Sequence, residues 1–503
     1  MLRIAKTESG MVRGLPGSDV RNTIFRGIPF AADTSGDNRW RAPQPVEPWE
    51  GVRDCFQFAP ITMQRVPGED PNAFYSKEWH CEPEIAMSED SLALNIWTPA
   101  KTGDEKMPVM VWIFGGGLQE GYCHEMEFDG EGLNRRGVIL VSIAYRLNVF
   151  GFMAHPDLRA EDPDHITNFG LWDQKAGIEW VKRNIANFGG DPDNITIFGQ
   201  SAGGGSTMYH VTSPQSAGLF KRAIPQSAGG IVAQYPQAFM PVADTYEEAE
   251  ANGEKFVREV LGCSSIAEAR KLDAKFIENK LIESGYRFNA SIDGQFVVDQ
   301  WYKRVLEGKE NDVQLMTGNT TGEFPTIPQG DPIEWAKTNM GEYADKYIEL
   351  CKAEAGDDPE ALRKAMSFIS FEISANMMSR VFAKHGRPVY YYEFGPTIPG
   401  DNAGPFHSSE LWFTFESLAK CWRPFDGHHY DLARHMCNYW ANFAKTGDPN
   451  GNDANGKPMP EWKKFLEDDR NIMNFKDEVY CTNAPIPEKT QYLVDNNLAL
   501  YEY

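Results

Sequence analysis

The stretch Asn194-Ile-Thr-Ile-Phe-Gly-Gln-Ser-Ala-Gly203 decides how the rest of this chain is read. Ile195, Ile197 and Phe198 form an apolar, partly β-branched run of strand length. The run stops at Gly199, and the small residues from Ala202 to Gly205 open a helix that heads toward His210. Gly199-Gln-Ser-Ala-Gly203 therefore fits G-x-S-x-G in its required context, a strand before and a helix after. On such a sharp turn the Ser201 hydroxyl stands above the sheet edge, and the first N–H groups of the helix face any oxyanion beside it. Five residues with three fixed positions arise by chance; the flanking strand and helix make this match specific.

Working outward, Asp173 to Asn187 carries Ile178, Val181 and Ile185 at helical spacing, with Ala176 and Trp180 on the same side. Gly189-Gly190 ends that helix. Upstream, Met107 to Phe114 reads as a buried central strand ending in Gly115-Gly-Gly117, and Val138 to Ala144 as a second. Strand, helix, strand, turn and helix in alternation yield an α/β fold: a mostly parallel twisted sheet with helices on both faces. The first sixty residues are short strands broken by Gly and Pro, consistent with a small N-terminal antiparallel sheet. Thr62 to Ser88 is a long irregular segment, of a length that often serves function. Further on, helices are predicted over 243–261, 266–284, 359–383 and 428–443, with strands over 313–317 and 389–394. No repeat or linker interrupts the pattern, so the chain reads as one domain, 1–503, with insertions.

Composition excludes several classes. The 49 Lys and Arg against 72 Asp and Glu leave a formal charge of −23, which argues against nucleic-acid or anionic-membrane partners. Eight cysteines without a C-x-x-C are too sparse for a disulfide scaffold. The start, Met1-Leu-Arg-Ile-Ala-Lys, has no apolar core of a signal peptide, and no apolar run has the length of a membrane span. A cytoplasmic protein, monomeric or weakly self-associating, is expected.

A serine nucleophile needs a base, an orienting acid and oxyanion donors. Gly115-Gly-Gly117 at a strand end offers bare backbone N–H groups, with the N–H of Ala202 as a further donor. His407, in the loop Gly404-Pro-Phe-His-Ser-Ser-Glu410 before the aromatic run Trp412, Phe413, Phe415, is favoured as base over His155, His428, His429 and His435. The last three lack a His-Glu-x-x-His arrangement, so no metal is expected. Among the carboxylates, Glu323 follows the strand 313–317 and a Gly-bearing loop, giving the order Ser, Glu, His. Position alone leaves other acids open.

These residues sit among longer matches: Phe25-Arg-Gly-Ile-Pro-Phe-Ala31, Ser88-Glu-Asp-Ser-Leu-Ala-Leu-Asn-Ile-Trp-Thr-Pro99, Val111-Trp-Ile-Phe-Gly-Gly-Gly117, Tyr145-Arg-Leu147, Asn168-Phe-Gly-Leu-Trp-Asp-Gln174 and Asn187 through Gly203. With Gly318 to Glu323 and Gly404-Pro-Phe-His407, they span nearly the whole chain, which resembles the type-B carboxylesterases, an α/β-hydrolase group including cholinesterases, liver carboxylesterases and bacterial para-nitrobenzyl esterases. The resemblance implies Ser201 as nucleophile, His407 as base, Glu323 as acid and the amides of Gly116, Gly117 and Ala202 as oxyanion hole. It implies structural ion pairs Arg26–Glu89 and Arg146–Asp173, no cofactor, and short- to medium-chain or aryl carboxylic esters as substrates. Leu118, Gln200, Phe324 and Trp412 are candidates to line the substrate pocket.

The chain departs from that pattern in places. Ser91 stands where secreted members carry a cysteine, leaving Cys81 without that disulfide partner and pointing to a reducing compartment. Gln200 replaces the cholinesterase glutamate, Cys81 stands at the choline-stacking tryptophan's spacing, and Phe324 takes the place of the glycine after the acid. A choline site is not expected. A second Gln226-Ser-Ala-Gly229 lacks the leading glycine and reads as structural. The rival readings are a non-catalytic adhesion or receptor-like relative, a feruloyl-type esterase, a lipase, and an amide or carbamate hydrolase.

Overall fold

The computed structural model describes residues 1–79, 84–229, 243–453, 455–501 and 503. Its centre is an eleven-stranded sheet. In chain order the strands are β1 (Leu15–Pro16), β2 (Thr23–Pro29), β3 (Ala93–Thr98), β4 (Met107–Ile113), β5 (Ile139–Ile143), β6 (Gly190–Gln200), β7 (Arg222–Gln226), β8 (Gln314–Thr320), β9 (Val389–Phe394), β10 (Ile472–Phe475) and β11 (Val479–Thr482). In space they run β11-β10-β9-β8-β7-β6-β4-β5-β3-β2-β1. From β5 through β10 neighbours pair in parallel; the strands at both margins pair antiparallel. A separate small sheet joins Ile4–Lys6, Met11–Arg13 and Val52–Asp54. The expected α/β architecture, with helices on both faces and a small N-terminal sheet, is what the chain forms; one pairing of that small sheet, Met11–Arg13 with Val52–Asp54, is parallel.

The central strands are buried on both faces, which their unbroken apolar runs require. The parallel register brings Ile113 opposite Gly199, Gln200 opposite Gln226, and Gln226 opposite Gly318. The carboxyl ends of β4, β6, β7 and β8 thus lie side by side, the usual place for a site in an open parallel sheet. Helix α1 (Phe169–Asn184) precedes the elbow strand and passes through a 3-10 turn to Gly189, whose φ of 84° stops it. Helix α2 (Ala202–Thr212) follows the elbow, α3 (Ser370–Lys384) packs on β8 and β9, and α4 (Gly427–Thr446) crosses β4 and β6. Among the described residues no helix is long and apolar enough to cross a membrane.

Two predicted helices are broken. The span 266–284 divides into Ile266–Ala269 and Ala274–Ser284, because Asp273 turns its carboxylate onto the N–H groups of Lys275 and Phe276 and starts a new helix. The span 359–383 divides after Ala365, where Phe368–Ile369 pairs with Pro325–Thr326 before α3 begins. Local propensity ran through both breaks, and a cap in one and a strand pairing in the other overrode it.

The expected pair Arg146–Asp173 is present: three N–H groups of Arg146 reach the Asp173 carboxylate at 2.7, 2.7 and 3.0 Å in a fully buried setting. The expected pair Arg26–Glu89 is not. Glu89 is held by Arg39, through two bonds of 2.6 Å, while Arg26 lies over the Phe58 ring with its guanidinium carbon 4.8 Å from the centroid. Arg39 wins because its remaining N–H groups also reach the carbonyls of Ala269, Arg270 and Leu272. Those carbonyls satisfy the rest of a buried fork that a lone carboxylate cannot. Cys81, expected to lack a disulfide partner, lies outside the described residues; the other seven cysteines are free thiols.

Replacing Arg39 with Met should lower unfolding free energy by about 3–5 kcal/mol in urea, because Glu89 is left buried and unpaired. Arg26→Met should cost about 1 kcal/mol or less. Equal losses would show that Glu89 depends on both arginines.

Candidate active site

Ser201 is the tip of the turn between β6 and α2, with φ 57° and ψ −123°, a conformation non-glycine residues rarely hold. Its neighbours fix it. Its N–H donates to the Gln226 carbonyl at 3.0 Å, and its carbonyl accepts from Gly205 N–H at 2.8 Å. The turn closes because Gly199 and Gly203 lack side chains. A Cβ on Gly203 would stand 2.1 Å from the Ile113 carbonyl oxygen, and one on Gly199 would stand 2.4 Å from the Gly203 carbonyl oxygen.

Beside the elbow, the chain leaving β4 runs through Gly115-Gly-Gly117. A Cβ built on Gly115 would lie 2.7 Å from the Gln200 carbonyl and 3.3 Å from Ser201 Cβ, so this loop and the elbow are in contact. Gly116 holds φ 102°, and a Cβ there would collide with the Glu120 carbonyl at 2.0 Å. The loop turns on itself through Gln119 and Glu120 N–H groups bonded to the Gly116 carbonyl. The structure therefore brings Gly116, Gly117, Ser201 and the first helical residue, Ala202, to one place.

His407 and Glu323 also meet there. Glu323 Oε2 bonds His407 Nδ1, and Glu323 Oε1 accepts from Ser227 Oγ at 2.5 Å and from Thr320 N–H at 3.1 Å. The loops bearing them are joined, Gly322 N–H donating to the Pro405 carbonyl at 3.1 Å. Tyr75 Oη–H donates to the His407 carbonyl at 3.1 Å. A carboxylate can only accept, so Nδ1 carries the proton and Nε2 presents a lone pair. That lone pair faces Gln200 Nε2 at 3.3 Å, and Gln200 Oε1 accepts from Ser408 Oγ at 2.9 Å. The Ser201 hydroxyl makes no hydrogen bond among the described residues; such bonds are often long before substrate binds.

Burial works against charge on His407, and the Glu323 carboxylate with its hydrogen bond more than offsets it, so the imidazole pKa lies above the ordinary 6.5. Glu410, fully buried nearby, is pushed up to about 7 by burial and then by the Glu323 charge. Its contact within the protein is a 3.4 Å bond from Gln226 Nε2.

The four pocket candidates separate. Phe324 is 37% exposed, with its ring centroid 4.8 Å from that of His407, so it stands at the mouth; Phe371 packs on His407 at 5.0 Å. Leu118 follows the glycine loop at φ 61° and is buried. Gln200 and Trp412 are buried and hydrogen-bonded within the protein. Gln200 is buried and spent on His407 and Ser408, and Trp412 donates its indole N–H to buried Glu78 at 3.2 Å and packs against Trp79. An apolar ring beside a catalytic loop looks the same in sequence whether it faces cavity or core. Sequence reading passed over Phe371, and it took Gln226-Ser-Ala-Gly229 as structural without assigning Ser227 its bond to Glu323. Ser227 had a signal: Gln226-Ser227 repeats Gln200-Ser201 at the end of the adjacent parallel strand, so it had to emerge beside the elbow.

Asp426, His428 and His429 place three possible metal-ligand atoms within 4.8 Å. They form the cap of α4, with Asp426 accepting from His428 N–H and Asp426 N–H donating to His429 Nδ1.

The profile of the carboxylesterase family matches residues 2–493. The chain is 32% identical to the fumonisin B1 esterase of Sphingopyxis macrogoltabida, over 95% of this chain and 87% of that protein. It is 32% identical to the cocaine esterase of Oryctolagus cuniculus, over 93% of this chain and 91% of that one. Among solved structures it resembles a carboxylesterase of Geobacillus stearothermophilus (TM-score 0.79, 27% identity, 98% of this chain and 100% of that one). It also resembles a PNB esterase (TM-score 0.76, 28% identity, 98% and 100%).

The position of Gln200 makes a pH prediction. A carboxylate in its place, beside Nε2, favours the protonated imidazole and raises the His407 pKa further. If the neutral imidazole is the base, the acid limb of kcat/KM in Gln200→Glu moves to higher pH. An unmoved limb, or one moved down, would show that the proton acceptor lies elsewhere.

Proposed function

The chain belongs to the carboxylesterase family, and from that premise we propose that it hydrolyses carboxylic esters of short- to medium-chain or aryl type through Ser201, His407 and Glu323. The observation that carries the reading is the meeting of three parts at the carboxyl edge of the sheet. They are a serine held at positive φ on a strand-to-helix turn, a bare glycine loop in contact with it, and a His–carboxylate pair whose Nε2 faces the residue before that serine.

The steps follow from the geometry. His407 Nε2 exchanges its bond from Gln200 for the Ser201 Oγ–H and takes the proton as Oγ adds to the ester carbonyl. Glu323, already bonded at Nδ1, stabilises the imidazolium without being protonated. The amides of Gly116, Gly117 and Ala202 receive the oxyanion. Collapse breaks the ester C–O bond, and the proton on Nε2 goes to the departing alcohol. Water, deprotonated by the same nitrogen, then cleaves the acyl-enzyme and regenerates Ser201. The leaving group lies toward His407, where Phe324 and Phe371 give it an apolar wall.

The test is release of para-nitrophenol from acetate, butyrate, octanoate and palmitate esters by wild type, Ser201→Ala and His407→Ala. We expect activity to peak at short or medium chains and to fall by several orders of magnitude in both variants. A peak at palmitate would make the protein a lipase. A folded wild type inactive on every ester would move it to the non-catalytic members of the fold.

A further inference from the structure

The glycine loop has a neighbour that the proposed chemistry does not use. A Cβ placed on Gly117 would lie 3.4 Å from Arg287 Nη2, so this guanidinium rests against the bare face of an oxyanion-loop residue. The backbone around Arg287 is pinned. Gln119 Nε2 bridges the Gly117 carbonyl (3.3 Å) and the Phe288 carbonyl (2.7 Å), and Asn252 Nδ2 donates to the Arg287 carbonyl at 3.3 Å. Phe288 is buried and packs edge-on against Phe256. Arg287 itself is exposed, and among the described residues no carboxylate or carbonyl accepts from its guanidinium. In a chain of net charge −23, an arginine beside the loop without an acid is out of keeping with its surroundings.

Sidedness tells which part of a substrate it meets. His407 must reach the leaving oxygen, so the alcohol lies toward His407, Phe324 and Phe371. An acyl group directed away from His407 and along Gly117 would run toward Arg287, which lies against that residue. A plain alkyl acyl chain would find no partner in a charged fork there, whereas a carboxylate on that chain would find a guanidinium that bonds to no acceptor among the described residues.

We propose that the acyl side of this site selects esters of di- or polycarboxylic acids, with a free carboxylate of the acyl group held by Arg287. The proposal rests on the ester-hydrolase reading above. Arg287 touches substrate only at that carboxylate, and the bond-breaking steps remain those of Ser201 and His407.

The experiment compares monoethyl succinate and monoethyl glutarate with their neutral half-amide isosteres, followed by acid release at fixed pH, in wild type, Arg287→Gln and Arg287→Lys. In wild type kcat/KM should favour the half-esters over the isosteres by about 10- to 100-fold, the range of a charge-assisted hydrogen bond. Arg287→Gln should bring that ratio near one, Arg287→Lys should restore part of it, and added salt should erode it. A wild-type ratio of one or below overturns the proposal, as does an Arg287→Gln variant that slows both substrates alike, since the guanidinium would then serve the oxyanion or the fold. Both of those outcomes leave ester hydrolysis standing. A wild type that hydrolyses none of the four compounds nor any para-nitrophenyl ester overturns the underlying reading as well.

Discussion

Everything at the carboxyl edge of the sheet depends on one steric constraint: the backbone of α2 must pass within contact of the end of β4. Only hydrogen at Gly203 allows its Cα to sit against the Ile113 carbonyl, and only hydrogen at Gly199 leaves room for the Gly203 carbonyl. With that approach made, Ser201 has no conformation left but the left-handed one at φ 57°. Such a residue costs of order 1–3 kcal/mol and persists only where its surroundings over-determine it. Here the surroundings are the parallel strands on either side, β4 beneath the turn and β7 accepting the Ser201 N–H. The same contact sets Gly115 against Ser201, so the proposed nucleophile and the glycine loop are positioned by one packing event.

The acid half is organised differently, by hydrogen bonds across loops. Glu323 is buried with charge-assisted partners on both oxygens: His407 on one, Ser227 and the Thr320 amide on the other. A buried carboxylate is tolerable only when so satisfied. Ser227, itself at φ 45°, comes from the strand next to the elbow, and so β7 serves twice: its last carbonyl anchors Ser201, and the following hydroxyl anchors Glu323. The histidine is thereby held from Nδ1 by a group tied to the same sheet edge that holds the serine.

What the sequence disclosed, and what it did not, divides along these lines. The elbow, the glycine loop and the parallel strands were legible because their signals are local: apolar runs bounded by glycines, at positions where a Cβ cannot exist. Arg146–Asp173 was legible by resemblance, and it formed. Arg39 was not, because its advantage over Arg26 comes from three carbonyls more than two hundred residues away, which no spacing near Glu89 announces. Gln200 and Trp412 were named as pocket candidates, and the structure buries both. Burial of one side chain depends on what the opposite layer supplies, here Ser408 for one and Glu78 for the other. The breaks after Ala269 and Ala365 escaped for a related reason: a single aspartate cap and a two-residue strand pairing outvote a long helical pattern.

The remaining departure, glutamine before the nucleophile, fits the charge balance of the site. Two carboxyl groups already face His407 from within a dry region: Glu323, bonded to it, and Glu410, whose ionisation burial and Glu323 hold back toward neutral pH. In the proposed mechanism, when His407 takes the serine proton the imidazolium and Glu323 neutralise each other, and the only new charge is the oxyanion on the glycine loop. A third carboxylate at position 200 would bind the proton more firmly on Nε2, weakening the general acid that must return it to the alcohol, and would place a negative charge one residue from the oxyanion. The amide avoids both effects, and its own geometry sets the orientation: with Oε1 taken by Ser408, only the N–H side can face Nε2, so the resting bond is one neutral donor to one lone pair. That bond is weak enough to yield to the serine hydroxyl, yet it keeps the imidazole facing the elbow until substrate arrives.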